Sequence, residues 1–537
     1  MKKIMKKYLY ILTAVLAGFS LASCSEFLDE ENRNFLSDDI LLSDPTALDQ
    51  LVAHGYNKLR DATTYYDLDH QGTDIFTRRD IIAGISELND YVNFRPANGS
   101  VQAYWTNYYK VISGANIALT RADEVQGISD SDKSRGIGEA KFLRAYSYFH
   151  LVENFGGVPL VLEEITTAQT AFYRATEQEV YAQIILDLDD ALAGVDESPA
   201  LFGRASKDAV RHLKAKVLLS RGYKDFGTAQ DFADAAALAE TVISRHPLVG
   251  NFNDLVSREN QRNGEVIFSL LYGNNPVSRG FGNNRHLLFK FVYDVYPGQV
   301  RSTLYHRGLG RAPTPFFFDL FEEGDQREEA TIRRLMIAEV NSADGTVAKG
   351  DTSIYFPKVA WPQAKIDSKI YAVFNPNQYF TPDGLTQVHF PMFRKFDDPG
   401  VPYTNPGINP DGERDAILMR GGETRLIAAE AYLQSGNSAK AAEHINALRD
   451  RAGLSSMVSA GEVDIDMILD ESAIEMAGEV SRWMDLKRTG KLQERVLEYN
   501  PHAALNNAIK PYHSLRPIPQ AEIDVSGETI SQNEGYN

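Results

Sequence analysis

One cysteine, Cys24, occurs in 537 residues, so no disulfide can form within the chain. A fold placed in an oxidising compartment then relies on the size of its core for stability. Positive charge is also short: 55 lysines and arginines stand against 73 acids, a net charge of −18. That balance argues against nucleic acid as a partner, because phosphates need basic patches. It argues equally against lying flat on an anionic leaflet. Beyond residue 22 no segment approaches the roughly 18 consecutive apolar residues of a membrane span. Catalytic signatures are missing too. The eleven histidines form no His-x-x-x-His or His-x-x-Glu-His pair, and there is no Gly-x-Ser-x-Gly, phosphate loop or dinucleotide fingerprint. No cofactor, no metal and no enzymatic activity are expected.

What is present begins with the surroundings of that cysteine. Lys2, Lys3, Lys6 and Lys7 precede an apolar run from Tyr8 to Ala22, and small residues lead into Cys24. This is a secretory signal, 1–23, and Leu21-Ala-Ser-Cys24 resembles a bacterial lipobox. Cys24 is then the lipidated N-terminus, and multiple acyl chains suffice for stable anchoring. An acidic, aperiodic tether follows over 24–44.

From residue 45 to 249 helical periodicity dominates. Asp44-Pro45 opens a helix to about Arg60, and further helices are expected at Tyr104–Val125, Asp132–Asn154, Ser206–Gly222 and Phe232–His246. Thr176-Glu-Gln-Glu179 is a capping box that starts another. Residues 61–100 interrupt the pattern with aromatics, acids and glycine, as a long functional loop would. The region 250–537 divides into a loop-rich stretch, 250–415, a helical one, 416–490, and a closing segment, 491–537. Turn signals are dense in the first, and Val266–Leu270 reads as a short strand. In the second, Arg425–Ser435 and Ser438–Arg451 flank the turn Gly436-Asn437, which looks like a tetratricopeptide-type helix pair. The expected fold is mainly α: a tetratricopeptide-like helix-pair frame with a loop-rich insertion carrying short strands.

Several motifs carry a family resemblance. Ala140-Lys-Phe-Leu-Arg-Ala-Tyr-Ser-Tyr-Phe149 with Asn154-Phe-Gly-Gly-Val-Pro159 resembles the N-terminal half of SusD/RagB proteins, as does Trp105-Thr-Asn-Tyr-Tyr109 with Ile112 and Asn116. Arg425-Leu-Ile-Ala-Ala-Glu430, Asn446-Ala-Leu-Arg449, Arg482-Trp-Met-Asp-Leu-Lys-Arg488, Pro517-Ile-Pro519 and Asn533-Glu-Gly-Tyr536 resemble the C-terminal half. The resemblance covers nearly the whole chain from Cys24. It implies a lipid-anchored, surface-facing outer-membrane protein. Such a protein captures glycan and sits as a lid over a SusC-like TonB-dependent barrel. Its frame has four tetratricopeptide-like helix pairs. The acidic run Ser25–Glu31 resembles a surface-export signal of such lipoproteins. A peptide ligand, as in the RagB branch, and a secreted hydrolase are the alternatives; a pure scaffold fits the loop-rich half poorly.

Candidate ligand residues follow from chemistry that suits sugars, in which rings stack on sugar faces and polar groups read hydroxyls. Tyr65, Tyr66, Asp67, Asp69 and Asp74 lie in the long loop, with Tyr91, Asn93 and Arg95 after them. Trp361, Tyr293, Tyr296 and Tyr379 lie in the loop-rich stretch, where no helical stripe accounts for them. Asp67-x-Asp69-x-Gln71-Gly72 resembles the start of a calcium loop, but Arg78 stands where its last glutamate is needed. Glu471, Glu475 and Glu479 recur every four residues. One helix face does not flank a glycosidic bond, so they are expected to form an ion-pair network with Arg482 and Arg488. Trp105 and Trp483 sit on helix stripes and belong to the core.

Overall fold

The computed structural model describes residues 41–63, 67–79, 82, 84–280, 282–308, 310–381, 388–401 and 411–536. The signal, Cys24 and nearly all of the tether therefore lie outside the described residues. The main helices are α1 (Ala47–Ala62), α2 (Gly99–Arg121), α3 (Asp130–Phe155), α4 (Glu177–Gly194), α5 (Lys207–Gly222), α6 (Ala229–Ile243), α7 (Gly421–Gln434), α8 (Ser438–Arg451), α9 (Ile465–Glu475), α10 (Arg482–Arg488) and α11 (Leu492–Tyr499). Their starts follow from local chemistry. The Asn98 side chain accepts from Ser100 N and Val101 N to begin α2, and Thr176 and Glu179 close the expected capping box on α4. Gly156, at φ 71°, ends α3.

Four pairs form, α1 with α2, α3 with α4, α5 with α6, and α7 with α8. Successive pairs stack: α2 lies on α3, α4 on α5, and α6 on α7. The fourth pair thus rejoins the array after the chain has left it over residues 244–420. Close stacking uses missing side chains. A Cβ at Gly136 of α3 would lie 2.6 Å from Leu48 Cδ2 of α1, and one at Gly194 of α4 would lie 2.5 Å from Ser134 O of α3.

The loop-rich half contributes short strands: β1 (Phe76–Arg78), β2 (Val266–Leu270), β3 (Arg311–Pro313), β4 (Ile332–Arg333), β5 (Leu335–Ile337), β6 (Thr352–Tyr355), β7 (Ala372–Val373), β8 (Met392–Phe393) and β9 (Ala416–Arg420). β1 pairs with β3, β2 with β9, and β4 with β8, all antiparallel; β5, β6 and β7 form a mixed three-stranded sheet. The loop expected at 61–100 therefore contains a strand and two short helices, Asp67–His70 and Ile85–Asp90. Its aperiodicity reflects short elements, each anchored by tertiary partners. The main core fills the helical frame, smaller ones lie between α5, α6 and α7 and between α7, α8 and α9, and another, rich in phenylalanine, fills the loop-rich half. Trp105 and Trp483 are buried in the first, as expected.

The glutamate series differs from its expected geometry in two ways. Helix α9 stops at Glu475, because Gly478 takes φ 73° and Ser481 caps α10, so Glu479 lies in the turn between them. The partners also differ. Glu475 accepts from Arg420 at 2.6 Å and from Arg451, Glu479 from Arg420 at 2.8 Å and from Lys395, and Glu471 from Arg327 and Arg449. Arg482 pairs instead with Asp74, and Arg488 with Glu430. The network is structural, and it joins the helical frame to the loop-rich half through residues far apart in sequence.

Candidate ligand-binding site

The β1–β3 ladder builds the first part of the site. Arg78 and Arg311 stand directly opposite one another, and each is neutralised by its own acid. Arg78 pairs with Asp90 at 3.0 Å, and Arg311 Nε donates to Asp67 Oδ1 at 2.7 Å. Asp67 is therefore buried in an ion pair. Asp74 is fully buried and accepts from Arg482 at 2.9 and 2.6 Å and from Arg495 at 2.8 Å. Burial alone would raise its pKa; the two arginines outweigh burial and hold it below the usual carboxylate range. Asp69 faces inward, onto a cavity of about 40 Å³ that it shares with His150, His212, Lys216 and Glu423. Burial pushes it up to about 6, against a hydrogen bond with Ser481. Two of the expected hydroxyl-reading aspartates are thus corrected: packing spends Asp67 and Asp74 in buried ion pairs, while Asp69 lines the small cavity. Asp67 and Asp69 also diverge, which breaks the calcium-loop pattern. No group of three or more potential metal ligands occurs among the described residues.

Three tyrosines are corrected for the same reason. Tyr91 is buried and donates from its hydroxyl to Gly72 O at 2.6 Å. Tyr293 sits edge-on to Tyr305, and Tyr379 to Phe318, inside the aromatic core. Tyr65 and Tyr66 lie outside the described residues.

Four candidates remain at the surface. Asn93 and Arg95 are exposed on a turn in which Tyr91 and Asn93 adopt φ 57° and 53°. A non-glycine residue in this region costs about 1–2 kcal/mol. The Tyr91 hydroxyl bond and its ring contact with His513 (5.1 Å) hold the turn there. Tyr296 is half-buried, its hydroxyl bonded to His389, whose ring stacks on Phe374 at 3.9 Å. Trp361 is half-buried, and Asn375 clamps its backbone by accepting from its N and donating to its O, both at 2.9 Å. Its indole lies 5.1 Å from the Tyr355 ring, and Lys365 Nζ stands 3.6 Å above it. Tyr355 is opposite Leu335 on β5, and Leu335 and Ile337 are exposed. Residue-level reading missed Tyr355 and Asn375. The first carries only the signal of a strand terminus, and the second only that of a turn.

Frame and site together define a class: a mainly α protein of stacked helix pairs whose loop-rich half presents aromatic and polar side chains at its surface. The chain belongs to the SusD family, whose model matches residues 264–536. A second model, described as starch-binding associating with outer membrane, matches residues 26–219. SusD-like protein P25 of Formosa agariphila is 28% identical over 98% of this chain and 99% of its own length. Starch-binding protein SusD of Bacteroides thetaiotaomicron is 26% identical over 77% of this chain and 75% of its own. Among solved structures, a laminarin-binding SusD-like protein superposes with a TM-score of 0.70 at 24% identity, covering 91% of this chain and 99% of its own.

Proposed function

We propose that this chain is a non-catalytic, cell-surface glycan-binding protein that captures oligo- or polysaccharide and passes it to a SusC-like TonB-dependent barrel in the outer membrane. The observation that carries the reading is the pair of family matches, one of them to a starch-binding, outer-membrane-associated family, which together account for most of the chain. Lipidation at Cys24 anchors it, and the acidic tether lets it swing as a lid.

The half-buried Trp361, braced by Tyr355, supplies the stacking surface. A sugar ring displaces Lys365 from the indole, giving up a cation–π contact worth about 0.5–1 kcal/mol at an exposed site. Tyr296, linked to Tyr355 through Phe374, supplies a hydroxyl contact beside it, and the Asn93–Arg95 turn supplies polar contacts of its own. Hydrolysis is disfavoured by the glutamate series itself, since Glu471, Glu475 and Glu479 are engaged by buried cations.

Affinity electrophoresis in gels containing starch, laminarin or other glycans tests the proposal. Retardation by one of them, weakened at least fivefold by Trp361→Ala, is the expected result. If no glycan retards the protein while a peptide mixture raises its Tm, the ligand is a peptide. Release of reducing ends would reinstate the hydrolase. Co-purification with a barrel from the native membrane, abolished by Cys24→Ala, tests the anchor and the partner together.

A further inference from the structure

The helical frame carries a groove that the loop-based site does not use. It measures about 340 Å³, within the roughly 300–1,000 Å³ of small-ligand sites. Its floor is apolar: Trp105, Tyr109 and Ile112 on α2, Val161 from the segment after α3, and Ile530 near the C-terminus. Phe172, half-buried, and Ile165, 45% exposed, form a wall. The rim is polar and of mixed sign, with Lys110, Glu163 and Glu522.

The groove is preformed. Asn116 Nδ2 donates to Val161 O at 2.8 Å and Glu163 O at 3.2 Å, and the Tyr109 hydroxyl donates to Pro159 O at 2.8 Å. Thr529 Oγ1 donates to Phe172 O at 2.7 Å, which fixes the wall from the C-terminal side.

The groove also adjoins the turn that carries Asn93 and Arg95. Gln520 N donates to Pro96 O at 3.1 Å, so the short helix Gln520–Val525, which carries Glu522, abuts the turn that presents Asn93 and Arg95. Gln102 Nε2 then links Glu522 to Thr106, each at 2.9 Å, and leads onto the α2 face. From Asn98 to Asn116 the helix advances about 27 Å at ~1.5 Å per residue, the reach of an oligosaccharide rather than of one sugar.

We propose that this groove is a second carbohydrate subsite. It takes one or two pyranose rings of a chain whose neighbouring sugars lie against Asn93 and Arg95. The C–H faces of the sugar rest on the apolar floor and Phe172, and its hydroxyls bond to Glu163, Glu522 and Lys110. A fatty chain would leave the charged rim unengaged, and a strongly anionic ligand would meet two carboxylates. A neutral polyol satisfies both floor and rim. This inference rests on the glycan reading above.

The test is calorimetric titration of the whole protein with malto-, laminari- and cello-oligosaccharides of two and six sugars. Lys110→Ala and Glu163→Gln alter exposed residues and leave the fold intact; Phe172→Ala is the stronger perturbation. For a series that binds, hexasaccharide affinity falls five- to tenfold in each variant, while disaccharide affinity at the loop-based site is unchanged. Crystals grown with the hexasaccharide show sugar in the groove. Hexasaccharide affinity that is equal in parent and variants overturns the subsite and leaves the glycan reading standing. So does a crystal structure in which residues 25–40 of the same chain occupy the groove. Failure of every series to bind the parent, together with a gel panel in which no glycan retards it, removes the glycan reading and the subsite with it.

Discussion

Replacing Arg420 by methionine separates the structural account of the glutamate network from a surface-charge account. Arg420 is 1% exposed and donates to Glu265 at 2.9 Å, Glu475 at 2.6 Å, Glu479 at 2.8 and 2.9 Å, and Glu475 O at 2.7 Å. Among the buried members of the network Arg327, Lys395, Arg420, Arg449 and Arg451 face Glu265, Asp325, Glu471, Glu475 and Glu479, and Arg449 also reaches Glu322 at the solvent edge. Arg420→Met leaves one buried negative charge uncompensated, at a cost of about 3–5 kcal/mol. With an unfolding entropy of roughly 2 cal/mol/K per residue, a chain of this length loses about 1 °C of Tm per kcal/mol, so Tm falls by about 3–5 °C. Adding Glu475→Gln restores the balance and recovers about 0.5–3 kcal/mol, the usual coupling within one network. Scanning calorimetry and chemical denaturation of the two single variants and the double read this directly. A Tm for Arg420→Met within 1 °C of the parent, with strictly additive effects in the double variant, would refute the reasoning.

Other expectations follow from the same geometry. Asp74→Ala removes the carboxylate from the buried Arg482, while Arg495 keeps Asp466 and Asp470, and costs about 3–5 kcal/mol in denaturation midpoint experiments, whereas a ligand-reading aspartate would cost affinity and spare stability. Stability is greatest near neutral pH in Tm-against-pH curves. His70, His150 and His286, lowered to about 3, and His306 and His513, lowered to about 4, stay neutral in the folded state while the unfolded chain protonates them below 6.5, so stability is lost as pH falls below 6.5; Asp69, raised from 3.8 to about 6, opposes that loss in part. Glu479 and Glu153, both lowered to about 2, contribute stability above pH 4.5 that is lost as pH falls toward 2. Asp69→Asn removes the opposing contribution and makes the loss between pH 7 and 5 steeper. Gly136→Ala drives a methyl into Leu48 and destabilises by about 1–3 kcal/mol, read as a lower Tm with unchanged glycan binding.

Helix pairs and their caps were legible because their information is local. Thr176 and Glu179 lie one turn apart, and the Gly436-Asn437 turn joins α7 to α8 in both readings. Boundaries shifted where packing extended a helix, as when α2 began at Gly99 under the Asn98 cap rather than at Tyr104. The buried fate of Asp67, Asp74, Tyr293 and Tyr379 was not legible. The two aspartates are decided by partners far away in sequence, Arg311 for Asp67 and Arg482 and Arg495 for Asp74, and the two tyrosines by the aromatic core they enter.

The amino-acid sequence by itself determined the family, the mainly α helix-pair frame and the absence of a disulfide, because motif order, periodicity and cysteine count need no third dimension. The tertiary structure alone decided which acids and rings remain at the surface. An aspartate in a loop has the same local sequence signature whether it faces solvent or a buried guanidinium, and only the packing of chain segments some 240 to 420 residues apart distinguishes the two.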